Sequence, residues 1–146
     1  MYDDILLPTD GSDGALVAVD HAMALAERFD STLHVLYVAD ARGSVGSHLG
    51  IEGGIEKVSE RLQEEGKEAV DEIAEMARDA SIPVETEVRT AVPHSSILEY
   101  ADDHNIGIIV MGTHGRSGIE RSVLGSVTER VVRQSNIPVV TVPRED

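Results

Sequence analysis

The chain has 146 residues with no cysteine and no tryptophan, and its 27 acidic side chains against 12 basic ones give a formal net charge of −15. That length suits a single domain over residues 1–146 with a full core, and the missing cysteine excludes disulfides, thiolate chemistry and Cys-ligated metals. So acidic a field disfavours nucleic acid and anionic membranes, and 3% aromatics offer no stacking platform for single strands.

The opening Met1-Tyr-Asp-Asp has no basic region and is expected to enter a strand at once, without a signal peptide. No apolar run approaches the ~20 residues of a membrane span, so a cytoplasmic location is expected. Residues 5–8 form a short apolar strand, followed by the loop Thr9-Asp10-Gly11-Ser12. A helix then runs to about Asp30 with Ser12 or Asp13 as its N-cap. Its apolar stripe is Ala15, Ala18, Ala22, Leu25, Ala26 and Phe29, mostly small residues that imply close approach to a sheet. Residues 32–38 are the next strand, continuous enough in apolar character to be buried on both faces.

Residues 40–54 hold five glycines (43, 46, 50, 53 and 54) and are expected to be a mobile loop, too long for a plain connector. A long helix follows over about 55–80, with Ile55, Val58, Leu62, Ala69, Ile73 and Ala77 on one face. Residues 83–90 alternate as a strand with one solvated side does, which places them at or near a sheet edge. Pro93 opens a short helix reaching about His104. The run 106–111 reads as a buried strand, 126–135 as a helix, and 137–142 as the closing strand. Strands alternating with helices predict an open α/β sandwich on a parallel sheet with right-handed crossovers.

Between the last two elements lies Gly112-Thr-His-Gly115, then nine residues, then Gly125-Ser126-Val127-Thr128. Glycines at a strand end let backbone approach a ligand closely, and a helix starting at Gly125-Ser126 aims unpaired N–H groups and its positive dipole end at the same space. That is an anion site, with phosphate as the expected occupant. Residues 112–133 carry four arginines against two glutamates, so the rest of the chain bears −17 and its one basic stretch coincides with the loop. Arg130 and Arg133 also read as a solvated helix face. Asp10, after the first strand, suits either a ribose or metal contact or an Asx-turn at the helix start; the glycine loop favours the ligand. His21, His34, His48, His94 and His104 lack metal-like spacing and are expected to be packed or solvated. Only Lys57 and Lys67 are lysines, a balance that fits high-salt adaptation better than an ordinary acidic cytoplasmic protein.

Over nearly its whole length the chain resembles the universal stress protein family in its ATP-binding branch. The resemblance rests on Ile5-Leu-Leu-Pro-Thr-Asp-Gly-Ser12, Val35-Leu-Tyr-Val38, Val110-Met-Gly-Thr-His-Gly-Arg116, Leu124-Gly-Ser-Val-Thr-Glu-Arg-Val131 and Ile137-Pro-Val-Val-Thr-Val142, with the Gly-x2-Gly-x9-Gly-(Ser/Thr) motif intact. It implies an open three-layer α/β/α sandwich with a five-stranded parallel sheet of order 3-2-1-4-5, of the adenine nucleotide alpha hydrolase-like kind. It also implies a homodimer through the last strand, Val139–Val142. Asp10 is implied to contact ribose and help place a divalent metal, Mg2+ or Mn2+, and Val38 to meet adenine through its main chain. Gly112, Gly115, Gly125 and Ser126 are implied to hold the ATP phosphates with His114, Arg116 and Thr128 nearby. Pro8, Thr9, Met111 and Val127 complete the implied set.

Two functional classes follow. One is a non-catalytic, homodimeric nucleotide sensor of the stress response that shows a protein partner one of two surfaces. The other is a slow ATPase or an autophosphorylating enzyme, for which paired Mg2+ ligands are wanted and neither lysine lies near a glycine loop, so the binding protein leads. A phosphoacceptor receiver domain fails for want of an acidic pair after the first strand and a lysine after the fifth. A dinucleotide fold fails for want of Gly-x-Gly-x-x-Gly after the first strand.

Overall fold

Apolar runs too short for helices and too continuous for one-sided strands make the middle of the sheet. In the computed structural model, which describes residues 1–40, 54–113 and 125–144 (54–59 as backbone only), β1 is Asp4–Thr9 and β2 is Thr32–Ala39. Every residue of these two strands after the first is buried, the pattern of parallel strands covered on both faces. Successive side chains go to opposite faces: Ile5 and Leu7 join one core, and Leu6 the other. The helices are α1 (Asp13–Phe29), α2 (Gly54–Asp79), α3 (Pro93–Asp103) and α4 (Ser126–Gln134). The remaining strands are β3 (Val84–Thr90), β4 (Ile108–Gly112) and β5 (Val139–Val142).

All pairings are parallel and the order is β3-β2-β1-β4-β5, as the resemblance implies. Residues of α1 and α2 pack with Ile5, Leu7, Val35 and Val110 on one face, and residues of α3 and α4 with Leu6, Leu36, Ile109 and Met111 on the other. β1 pairs with β2 from Asp4↔Thr32 to Thr9↔Tyr37, but with β4 only at Ile5↔Ile108 and Leu6↔Ile109. Beyond Leu6, then, the two central strands part towards their carboxyl ends. No helix among the described residues is long and apolar enough to cross a membrane.

Several expectations need adjusting. Phe29, placed on the buried stripe of α1, is 45% exposed and lies edge-on to Tyr2 with ring centroids 5.1 Å apart; Val19 is buried in the α1 core instead. On α2, Ile73 and Ala77 are buried as expected, but the inward face continues through Val70 and Ala74, while Leu62 and Ala69 are only partly buried. Gly66 shares that face: a Cβ there would lie 2.6 Å from the Tyr37 ring and 2.8 Å from Val88, so α2 rides very close to the sheet. Ile106 is buried but precedes β4, because its N–H closes α3 on the Ala101 carbonyl (2.9 Å). Likewise β5 begins at Val139, since Ile137 is bonded to the Ser135 hydroxyl through both its N–H and its carbonyl. The glycine-rich segment expected over 40–54 lies mostly outside the described residues.

At the amino-terminal half of β2, under the second half of α3, sits a buried polar cluster. His34, 2% exposed, meets the Tyr100 hydroxyl at 2.7 Å through Nδ1 and the Asp4 carboxylate at 2.8 Å through Nε2, with Glu85 at 3.8 Å. His104 stacks on the Tyr100 ring at 3.8 Å, and the Arg89 guanidinium lies 5.2 Å from the ring centroid. Packing thus explains His34, in keeping with its lack of metal-like spacing. Burial pushes the Tyr100 hydroxyl up from 10.0 to about 12, and the carboxylates of Glu87 and Glu85 act in the same direction. The folded chain therefore holds this proton more tightly than the unfolded chain, so the associated stability is whole below pH ~10 and is lost as pH rises through ~12. Denaturant melts across that window should lose stability in the parent and markedly less in Tyr100→Phe; equal losses in both would dissociate the effect from Tyr100.

Candidate functional site

Four backbone ends meet at the carboxyl edge of the sheet. The first is the end of β1. Pro8 and Thr9 are buried there, and the next three residues turn tightly into α1. The Thr9 hydroxyl accepts from the Gly11 N–H (3.0 Å), and the Asp10 carboxylate accepts from the Ser12 N–H (2.9 Å). Gly11 takes φ 80°, which a side chain would resist. Ser12 caps α1, its Oγ accepting from the Ala15 N–H at 3.2 Å. Asp10 therefore makes the Asx-turn, one of its two sequence readings.

The second is the end of β2, where Val38 is buried with Leu36, Ile97 and Met111. The third is the end of β4. Met111 and Gly112 are buried there, and a Cβ on Gly112 would run into the Gly14 carbonyl of α1. The first glycine of the motif is thus explained by helix packing as well as by any ligand. Gly14, the other half of that contact, drew no notice in the sequence, although a glycine inside a predicted first helical turn is the available signal.

The fourth is the start of α4. Gly125 is its N-cap and, having no side chain, supplies no side-chain bond to the first N–H groups of the helix. Two bonds fix this end beside β4: the Gly125 N–H donates to the Thr113 carbonyl (2.7 Å), and the buried Thr128 hydroxyl donates to the Gly112 carbonyl (2.9 Å). The Thr113 N–H in turn donates to Val142 (3.1 Å), tying the assembly to β5. Ser126 is exposed and Val127 half-buried. Thr128 thus braces the helix start through the Gly112 carbonyl, and Thr113, not singled out from sequence, holds it through the Gly125 N–H.

The ends of β1 and β4 flank the point where the winding reverses: β1 leads to α1 on one face, and α4 covers the other. Open α/β sheets take ligands in that crevice. Of the predicted set, Pro8, Thr9, Asp10, Val38, Met111, Gly112, Gly125, Ser126, Val127 and Thr128 all stand along this edge. His114, Gly115 and Arg116 lie outside the described residues. Among the described residues no group of three or more His, Asp or Glu side chains could hold a metal unaided. Helix N–H groups attract anions, and a carboxylate accepts from hydroxyls or holds a cation, so this edge brings both chemistries to one place.

Comparison with known proteins gives a consistent result. The family model described as the universal stress protein family matches residues 1–143. Universal stress protein MJ0531 of Methanocaldococcus jannaschii is 42% identical over 144 residues, covering 99% of this chain and 84% of that protein. MJ0577 of the same organism is 32% identical; its solved structure superposes with a TM-score of 0.88 and covers 100% of this chain and 99% of that one. Two more distant fold neighbours were solved with nucleotides: a universal stress protein in complex with cAMP (24% identity, TM-score 0.63) and one from Arabidopsis thaliana with AMP bound (13%, 0.65).

Proposed function

The chain belongs to the universal stress protein family, and from that premise we propose that it binds an adenine nucleotide, ATP with Mg2+ or Mn2+, as a homodimeric regulator of the stress response and not as an enzyme. The observation that carries the reading is the start of α4: a helix N-terminus whose N-cap is a glycine, braced by Thr128 and Gly125 beside β4 at the switch point. Backbone N–H groups so placed attract phosphate oxygens. Fold neighbours holding cAMP and AMP support the same ligand class.

In this reading Gly112, Gly115, Gly125 and Ser126 hold the phosphates, with His114 and Arg116 beside them. Asp10 faces the ribose and shares a divalent ion brought in with the nucleotide, since the described side chains form no metal cluster of their own. Such an ion would neutralise phosphate charge. Val38 meets the base through its main chain. The second copy pairs along β5, the outer strand, where Val139, Val140 and Thr141 remain half-buried. An uncovered apolar edge of this kind favours strand pairing.

Calorimetric titration with ATP, with and without Mg2+, in molar KCl and again in dilute buffer, tests the proposal. Saturation at about one ATP per chain is expected. Gly115→Val should weaken binding at least about a hundredfold, because a branched side chain would fill the phosphate path and remove two or more charge-assisted bonds. Unchanged affinity in that variant would sink the phosphate-loop assignment.

A further inference from the structure

α3 begins without a side-chain cap from its own N-cap residue, Val92, and Pro93 at the first helical position has no N–H to give. One turn in, Ser96 is 3% exposed, and its Oγ has no hydrogen-bond partner among the described residues. A buried hydroxyl left unpaired is a standing penalty, which a ligand able to bond it would relieve. The Cα–Cβ bond of a helical residue tilts towards the helix N-terminus, so the Ser96 Cβ leans back towards the first turn of α3. That turn lies at the end of β2, where the Ala91 N–H donates to the Ala39 carbonyl (3.0 Å). Ile97, the next residue, shares a core cluster with Val38 and Met111.

The spacing of the helices adds a second argument. α3 and α4 cover the same face, and packed helix axes lie about 8–10 Å apart. A nucleotide with its phosphates at the start of α4 would extend its base over about that distance, towards the start of α3. Resting on the nucleotide reading above, we propose that Ser96 is a specificity residue for the base, its hydroxyl accepting a hydrogen bond from the 6-amino group of adenine. Because the hydroxyl is sealed from water, the base reaches it as the first turn of α3 yields, and that turn lacks the side-chain cap that would hold it shut.

The test compares ATP with purine riboside triphosphate, which lacks the 6-amino group, on the parent and on Ser96→Ala. The parent should prefer ATP by about fivefold, the worth of one neutral hydrogen bond. Ser96→Ala should bind both nucleotides alike, with its melting temperature unchanged or raised, because an unsatisfied group has been removed. A parent that binds ATP with an unchanged preference in Ser96→Ala overturns the role of Ser96 and leaves the nucleotide site standing. A parent that binds neither nucleotide overturns both.

Discussion

Gly112→Ala should destabilise the fold by about 3 kcal/mol and abolish nucleotide binding with it. The added methyl would overlap the Gly14 carbonyl oxygen and come within 3.0 Å of the Gly14 carbonyl carbon and 3.3 Å of the Ala15 Cα. All three are backbone atoms of the first turn of α1, so no side chain can swing aside. Relief requires moving the helix start, and Ser12 and the Asp10 turn move with it. The Gly112 carbonyl also receives the Thr128 hydroxyl, so strain at this residue reaches α4 as well. Urea denaturation read against ATP titration checks the prediction. A stable variant with normal affinity would mean that α1 and β4 are less tightly seated than their contact implies.

His34→Ala is expected to cost a comparable ~3 kcal/mol without touching the crevice. The substitution opens a cavity under α3 and takes the partner from the Tyr100 hydroxyl, which is too buried to find water. It also leaves Asp4 and Glu85 facing each other without the imidazole between them. Chemical denaturation measures the loss, and ATP affinity at a temperature where the variant is folded should stay close to the parent's. A large loss of affinity with little loss of stability would show that this cluster serves the ligand.

The layers were legible because the relevant signals are local, whereas the strand order followed only from the family resemblance. Ile5-Leu6-Leu7 and the run around Val35-Leu36 declare strands buried on both faces, and the alternation through Val84–Thr90 declares an edge. The glycine spacing drew attention to the carboxyl end of β4 for the same reason, since it is a backbone requirement written in residue type. Contacts made by distant parts of the chain left no such mark. His34 and Tyr100 stand 66 residues apart, and nothing in either neighbourhood announces the other. Gly66 sits in a Glu-rich stretch that reads as solvated, yet it lets α2 settle on Tyr37. Phe29 fits the helical period but falls at the last residue of α1, where the sheet no longer lies beneath it. Ser96 drew no notice in the sequence, and only the fold reveals that its hydroxyl has no partner among the described residues.

The short ladder between β1 and β4 bears on how the protein transmits an event. β1, β2 and β3 come from one continuous stretch of chain, and β4 and β5 from the stretch after it, so the sheet is two ribbons stitched by two residue pairs. A ladder this short joins the ribbons through few backbone bonds, and the buried packing of Ile5, Leu6, Ile108 and Ile109 supplies the rest of the hold. A ligand gripping Asp10 on one ribbon and the start of α4 on the other would act as a clasp over the stitch. Its binding energy would then appear as slowed exchange along Val139–Val142, although no atom of the ligand need reach that strand. The outer edge of the sheet would thereby register whether the crevice is filled.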